Sequence, residues 1–326
     1  MKKIPALLLL LAMLLALSAC APSPTAVTVD GRKIDASEYA FYLTYARRVA
    51  GVTDVTFTAE ELEAARQDAL RSITTQEVVR LKCKAFGLEL SDGQRAILRE
   101  EKDIVTQNLG GAAKYLEYLQ SHALTDRLYD KTRENALYYE ALRAYAAEEL
   151  DQELYTDEAM RRFFGEHYIL VKYIRVTLLD DDGMPLSASL IADLRRTLNQ
   201  AHAAATQGQS FDDLMLEYND DPVMVAQPAG LVVSDLDLDT QPWLGAAFGL
   251  KNGTVSEVIQ SGDGLYILKR LELSAGYFEY NREALLARAQ ARNFTRLLAQ
   301  WEDEAVVKTK KVIEKIDLQN YMEYVK

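Results

Sequence analysis

A chain of 326 residues with 49 acidic against 37 basic side chains carries a formal net charge of −12, and a surface of that sign repels nucleic acid and anionic lipid alike. Its cysteines and histidines (Cys20, Cys83, His122, His167, His202) stand at no metal-ligand spacing, so neither a Cys/His metal centre nor any other cofactor is expected. The length is that of about two domains, each able to bury a core without cross-links.

Lys2 and Lys3 open the chain, and Ile4 to Leu17 form an almost unbroken apolar run of Leu, Ala and Met. The run suits the core of a secretory signal and is short for a membrane span of about 20 residues. It closes on Leu17-Ser-Ala-Cys20, which resembles the lipobox of bacterial lipoproteins. That resemblance implies removal of residues 1–19, a diacylglyceryl group on the Cys20 thiol, and a body tethered to the outer face of the cytoplasmic membrane. The alternative is an ordinary signal peptide with an incidental cysteine. Residues 1–19 hold two lysines and no acid, so the mature body is more acidic still. Cys83 is then the remaining thiol, which rules out an internal disulfide. It sits in an apolar helical stretch with Val78, Val79, Leu81 and Phe86, where a small core residue is expected.

Val27-Thr-Val-Asp-Gly-Arg-Lys-Ile34 alternates around Asp30-Gly31 and reads as a hairpin. Asp35 and Ser37 suit the cap of a following helix that carries Tyr39, Phe41, Tyr42, Leu43 and Tyr45. From Thr58 to about Leu150 the pattern is almost wholly helical. Thr58 with Glu61 makes a capping box, and Leu62, Ala65, Ala69, Leu70, Ile73 and Val78 follow at helical spacing. Gly87, residues 91–93, Gly110-Gly111 and residues 122–125 punctuate the successive helices.

At Phe163 the texture changes. Tyr168 to Leu179 is a β-branched and aromatic strand ending in the turn Asp180-Asp-Asp-Gly183. Helices are expected from Ser187 to about Thr206 and from Phe211 to Tyr218, then a short apolar run from Leu231 to Val233. A helix near Trp243 to Leu250 and strands at 254–259 and 264–273 complete the region. A long helix runs from Glu279 to about Lys311, and residues 312–316 read as a terminal strand. The fold class expected is α+β, a β-α-α-β-α-β-β module inserted in a mainly helical domain.

The middle segment, about Tyr168 to Leu273, resembles the parvulin family of peptidyl-prolyl isomerases. The pieces come in family order: Val171-Lys-Tyr-Ile-Arg-Val176, the helix Phe211 to Asp221, Ala229-Gly230, Pro242-Trp-Leu-Gly-Ala-Ala-Phe248, Val255-Ser-Glu-Val258 and Gly264-Leu-Tyr-Ile-Leu-Lys269. The whole chain, with its lipobox, Val-x-Val-Asp-Gly opening, helical region and returning helix, resembles the PrsA and SurA group of extracytoplasmic foldases. That resemblance implies a signal peptide at 1–19, a helical chaperone domain at 20–165, a parvulin-like domain at 166–275 and a C-terminal segment at 276–326 that packs with the helical domain. It also implies unfolded, newly secreted polypeptides as partners. Self-association as a homodimer is left open.

Parvulins place two histidines and an Asp or Cys around the prolyl pocket. The matching positions here are Tyr173, Tyr266 and Asp221, so only the carboxylate is retained. The resemblance puts Trp243 against the prolyl ring, with Val232 and Phe248 supporting it. A rival register would give His167 the first histidine position. Read as residues alone, Tyr173 and Tyr266 suit strands by propensity, and Asp221 suits a turn within Asn219-Asp-Asp-Pro222. The resemblance implies a protein-folding chaperone whose isomerase site is degenerate, or alternatively an active isomerase in which the two phenols fill the imidazole roles. Asp180 to Asp182 oppose recognition of phosphoserine-proline. Among the aromatics of the helical region (Tyr39, Phe41, Tyr42, Tyr45, Tyr115, Tyr118, Tyr138, Tyr139), most are expected in the core and a subset on a concave client-facing surface. A solute-binding lipoprotein would require repeated strand-helix lobes, which the stretch from Thr58 to Leu150 does not supply.

Overall fold

The computed structural model describes residues 23–49, 57–262 and 264–325. The expected signal segment and Cys20 lie outside the described residues. The chain forms two compact units, one from residues up to Leu150 together with Gln290–Lys326, the other from Asp151–Ala289. The fold is α+β, with small antiparallel sheets among helices. No described helix is long and apolar enough to cross a membrane.

In the first unit, β1 (Thr25–Val29) and β2 (Arg32–Asp35) make the hairpin. Asp30 and Gly31 both have positive φ, 46° and 81°, the backbone that a two-residue hairpin turn demands. Asp35 Oδ1 accepts from the Glu38 amide at 3.0 Å and so caps α1 (Ala36–Val49), whereas Ser37 already lies inside that helix. Next come α2 (Ala59–Ala85), α3 (Asp92–Asn108), α4 (Ala112–Ser121) and α5 (Asp126–Glu149). Both bonds of the Thr58–Glu61 capping box form, at 2.6 and 3.1 Å, and Ser91–Gln94 repeats the device at α3.

One core gathers Val27, Ile34, Tyr39, Leu43, Ile73, Leu119 and Leu128 with Ile316 and Leu318 from the C-terminal segment. A second gathers Val78, Cys83 and Leu142 with Phe294, Leu297 and Trp301. The last strand, β7 (Val307–Thr309), pairs antiparallel with β1, giving the order β2-β1-β7. It falls earlier than the expected 312–316, where a short 3-10 helix (Lys311–Lys315) stands instead. Val312, Ile313 and Ile316 are spaced for a helical turn, not for the period of two that a strand needs.

The second unit starts with α6 (Asp157–His167), which runs directly into β3 (Tyr168–Thr177). There follow α7 (Ala188–Thr206), α8 (Phe211–Tyr218), α9 (Pro222–Ala226), β4 (Leu231–Ser234), α10 (Leu244–Gly249), β5 (Ile259–Ser261) and β6 (Gly264–Leu271). The short α9 was not expected. The long α11 (Ala275–Glu304) begins here, with Phe278, Leu285 and Ala289 packed on Met160, Phe164 and Tyr168. The compact units divide at 150 and 289, beside the domain bounds of 165 and 275 that the resemblance implies.

The sheet order is β4-β3-β6-β5, antiparallel throughout. Register assigns the faces, because residues directly opposite share one. Tyr173 opposes Leu268 and Arg175 opposes Tyr266, while Leu231 opposes Val171. Those residues therefore share one face, and Ile174, Ile267 and Leu265 occupy the other. Lys172 and Lys269 share that second face, where Lys172 pairs with Asp212 and Lys269 sits over the Phe211 ring, so α8 covers it.

Candidate functional site

The first face carries a cluster of three rings. Tyr173 and Trp243 have centroids 5.2 Å apart, Tyr173 and Tyr266 5.9 Å in an edge-to-face pair, and Trp243 stacks on Tyr266 at 6.0 Å and 17°. Residues from a central strand, the start of a helix and a second strand, 93 positions apart at the extremes by residue number, are thus brought together. Each ring is under a tenth exposed (5, 7 and 7 %), so the three form a buried cluster. Met224, Leu244, Ala247 and Leu268 are buried around them.

Asp221 meets this cluster through one bond. Tyr173 Oη donates to Asp221 Oδ2 at 2.9 Å, while Asp221 Oδ1 accepts from the Val223 amide at 2.9 Å and caps α9. The carboxylate is therefore both turn residue and site residue. Burial first, then the hydrogen bond and charge of Asp221, push the Tyr173 phenol well above its ordinary value of 10. It stays a neutral donor across the physiological range.

Asp221 is placed by its two predecessors. Beyond Val171, β3 has no β4 partner on that side, and residues 219–220 satisfy the open edge. The Arg175 amide donates to Asn219 Oδ1 at 2.8 Å, the Thr177 amide to Asp220 Oδ2 at 2.7 Å, and the Asp220 amide to the Arg175 carbonyl at 3.0 Å. Asn219 Nδ2 also donates to the Asp221 carbonyl at 2.8 Å. The signal for this clamp was the Asn-Asp-Asp-Pro run, read from sequence only as a turn.

Gly264 is a second residue that sequence reading passed over. A Cβ there would lie 2.8 Å from Tyr266 Cε2 and 3.2 Å from Arg175 Nε, so only glycine lets the Tyr266 ring lie where it does.

The remaining expected residues divide. Phe248 is half-buried against the same core, and its carbonyl accepts from Arg270 Nη1 at 3.0 Å. Val232 opposes Leu170 and packs with Tyr168, Phe278 and Leu285 on the other face. It takes no part in the ring cluster, because alternation along β4 turns Leu231 and Val233 toward the rings instead. His167 ends α6 outside β3, and its Nδ1 lies 2.9 Å from Asp235 Oδ2. No cluster of His, Cys, Asp and Glu able to hold a metal occurs among the described residues.

No protein-family model matches the chain, and no curated protein matches it. Solved structures similar to it include PrsA foldases and SurA-like chaperones. The peptidylprolyl isomerase PrsA of Bacillus anthracis is 15% identical over 73% of this chain and 97% of its own, with a TM-score of 0.37. That of Bacillus cereus is 13% identical over 94% of this chain and 100% of its own, with a TM-score of 0.38. A SurA-like chaperone of Campylobacter jejuni, one of the pair PEB4 and Cj1289, is 12% identical over 89% and 100%, with a TM-score of 0.31.

Proposed function

We propose that the protein is an extracytoplasmic folding helper of PrsA type that holds newly secreted, unfolded polypeptides. In this reading it is tethered to the outer face of the cytoplasmic membrane through lipid on Cys20, and its parvulin-like module binds proline-containing segments with little turnover. The observation that carries the reading is the convergence of Tyr173, Asp221, Trp243 and Tyr266 on one sheet face, at the positions the parvulin resemblance assigns. A first unit completed by residues after Gln290 also supports it, since the foldase resemblance calls for a helical domain closed by the C-terminal segment.

The geometry also supports weak catalysis over strong. Rotation about an X-Pro bond faces a barrier of about 18–20 kcal/mol, lowered by holding the twisted amide in a shaped, dry cavity. Here two phenols and an indole are buried against one another, and the Tyr173 hydroxyl is committed to Asp221. A prolyl ring enters only if one of these rings swings aside.

Two assays on the mature chain test this. Suppression of aggregation of a reduced, unfolded secreted protein at stoichiometric ratio is expected, with prolyl turnover accelerated less than about tenfold. No suppression would overturn the holding role. Robust isomerisation abolished by Asp221→Ala would overturn the degenerate reading in favour of an active isomerase with Tyr173 and Tyr266 as its catalytic phenols.

A further inference from the structure

The three-stranded sheet of the first unit has one face in the core and one in solvent. Val27, Val29 and Ile34 belong to the core. Register sends Thr28 to the other side, together with Lys33 of β2 and Lys308 of β7, which stand directly opposite it. Lys310, still extended at φ −113° and ψ 152°, alternates back to the side of Lys308, and its amide donates to the Ala26 carbonyl at 2.8 Å. Lys33, Lys308, Lys310 and the next residue, Lys311, are all exposed.

These ammonium groups are not spent on ion pairs. Lys82, Lys102, Lys114, Lys131 and Lys172 each have a carboxylate within 4 Å. Among the described residues, none lies that close to Lys33, Lys308, Lys310 or Lys311. Two acids of the same hairpin are engaged elsewhere. Asp35, on the side of Lys33, pairs with Arg127 and accepts from the Glu38 amide, and Asp30 Oδ1 accepts from the Val306 amide at 2.9 Å. A chain of net charge −12 thus carries a locally basic sheet face. Acids farther away than a Debye length, about 10 Å at 0.1 M salt, are largely screened from it.

The way the chain enters this sheet says which anion meets it. Ser23 Oγ accepts from the Ser37 amide at 3.1 Å and the Pro24 carbonyl from the Ala36 amide at 2.7 Å, so the backbone is fastened to α1 before β1 begins. Cys20 stands three residues before Ser23, a reach of about 11 Å at full extension. Lys310 lies beside Ala26, about 10 Å along β1 from Ser23 and about 5 Å across. A lipid on Cys20 therefore brings this edge of the sheet to the headgroup layer. We infer that the solvent face carrying Lys33, Lys308, Lys310 and Lys311 binds anionic phospholipid headgroups of the membrane that holds Cys20. The inference rests on the lipid-tether reading above and adds a second contact to it. Net charge alone argues against anionic lipid; the distribution of charge reverses the sign at this sheet. An acidic polypeptide would satisfy the same lysines, but the tether supplies headgroups at high effective concentration.

The test uses the full mature chain from Cys20, alkylated on that thiol with N-dodecylmaleimide; Cys83 is fully buried and is spared. A single acyl-like chain gives only marginal, reversible binding, so the share of the sheet appears as a change in partition. Vesicles of phosphatidylcholine alone are compared by sedimentation with vesicles of equal parts phosphatidylcholine and phosphatidylglycerol. Partition onto the anionic vesicles is expected to be at least tenfold higher, with the difference lost at high salt. Lys308→Glu with Lys310→Glu should lower that preference at least tenfold, with an unchanged circular dichroism spectrum and phosphatidylcholine binding within twofold. Should this pair fail to fold, Lys33→Glu with Lys311→Glu serves in its place. Lys84→Glu with Lys251→Glu makes the same change of net charge at exposed positions off the sheet and should leave the preference within threefold. No preference in the wild-type chain overturns the inference and leaves the lysines as guards of the sheet edges. Equal loss in the two double variants overturns it too, since net charge would then account for the binding. So does binding of an octaglutamate peptide at Lys308 and Lys310 without preference for the anionic vesicles, which would make the face a site for an acidic polypeptide. Mass spectrometry of the chain extracted from its native membrane decides the tether separately. An unmodified Cys20 removes the tether and the inference with it; a lipidated Cys20 with no preference for anionic vesicles removes the sheet contact alone.

Discussion

Tyr173 sits where a single hydroxyl joins an aromatic cluster to a carboxylate, and its removal should separate the two contributions. Tyr173→Phe keeps the ring packing against Trp243 and Tyr266 and deletes the bond to Asp221. Asp221 keeps its bond from the Val223 amide and is not stranded. A loss of about 1 kcal/mol in urea unfolding is expected, the ordinary net worth of one hydrogen bond. Gly264 tests the packing side. Gly264→Ala sets a methyl 2.8 Å from a buried ring that stacks on Trp243, so the ring must move. Overpacking of this kind costs about 1–3 kcal/mol. The near-ultraviolet dichroism of Trp243, read in a Trp301→Phe background, should change; an unaltered signal would show that Tyr266 has room to yield. The rings were legible in sequence as strand aromatics at family positions. The role of Gly264 was not, because a ring folded back over its own strand leaves no trace in periodicity.

Among the elements, the first unit is tied by a buried network that no motif announces. Lys131 Nζ on α5 lies 2.7 Å from Glu38 Oε1 on α1 and 2.7 Å from Glu77 Oε1 on α2, and Arg32 Nε on β2 lies 2.7 Å from Glu77 Oε2. Burial raises the Glu38 carboxyl above its ordinary 4.5, against the lowering effect of Lys131. The folded chain therefore binds this proton more readily than the unfolded one. Its contribution is complete below pH 4.5 and is lost as pH rises through the raised folded value. Lys131→Met removes the lowering influence and strands the buried Glu38 carboxylate, while Glu77 keeps Arg32. Urea unfolding should show a loss of about 3 kcal/mol at pH 7 that shrinks as pH falls toward 4.5. A loss independent of pH would mean that the lysine acts by packing alone.

The C-terminal segment is the other element whose role only packing reveals. Ile316 is fully buried in the core that also holds Val27, Tyr39 and Ile73. Arg66 Nη2 donates to the Glu314 carbonyl at 3.3 Å and holds this segment to α2. Ile316→Ala should cost about 3 kcal/mol, as truncation of a well-packed core aliphatic does. Thermal unfolding of the first unit measures it. The capping boxes, the hairpin and most helices could be read locally, since each depends on residues within one turn. The strand at 307–309 could not, because β1 decides it from 282 residues away, as in the Val27–Thr309 pair.

For the whole molecule, client holding and prolyl binding are assigned to separate parts of the chain, so they should be separable. Asp221→Ala is expected to leave aggregation suppression within twofold of the wild-type chain while abolishing whatever slow turnover the cup supports. Equal loss of both would place client holding in the cup. The net charge of −12 opposes self-association and repels polyanions.

Residue order by itself determined the apolar run at 4–17, the cap and turn positions, the α+β class and the family-like order of the middle segment, because these are written in spacings of two to four residues or in the succession of short motifs. Tertiary structure alone decided that Tyr173, Tyr266 and Trp243 share one face while Val232 lies on the other, and that residues from Gln290 onward finish the first unit. Each of those outcomes depends on which distant strands pair and in what register. A shift of one residue would turn every ring to the opposite side of the sheet.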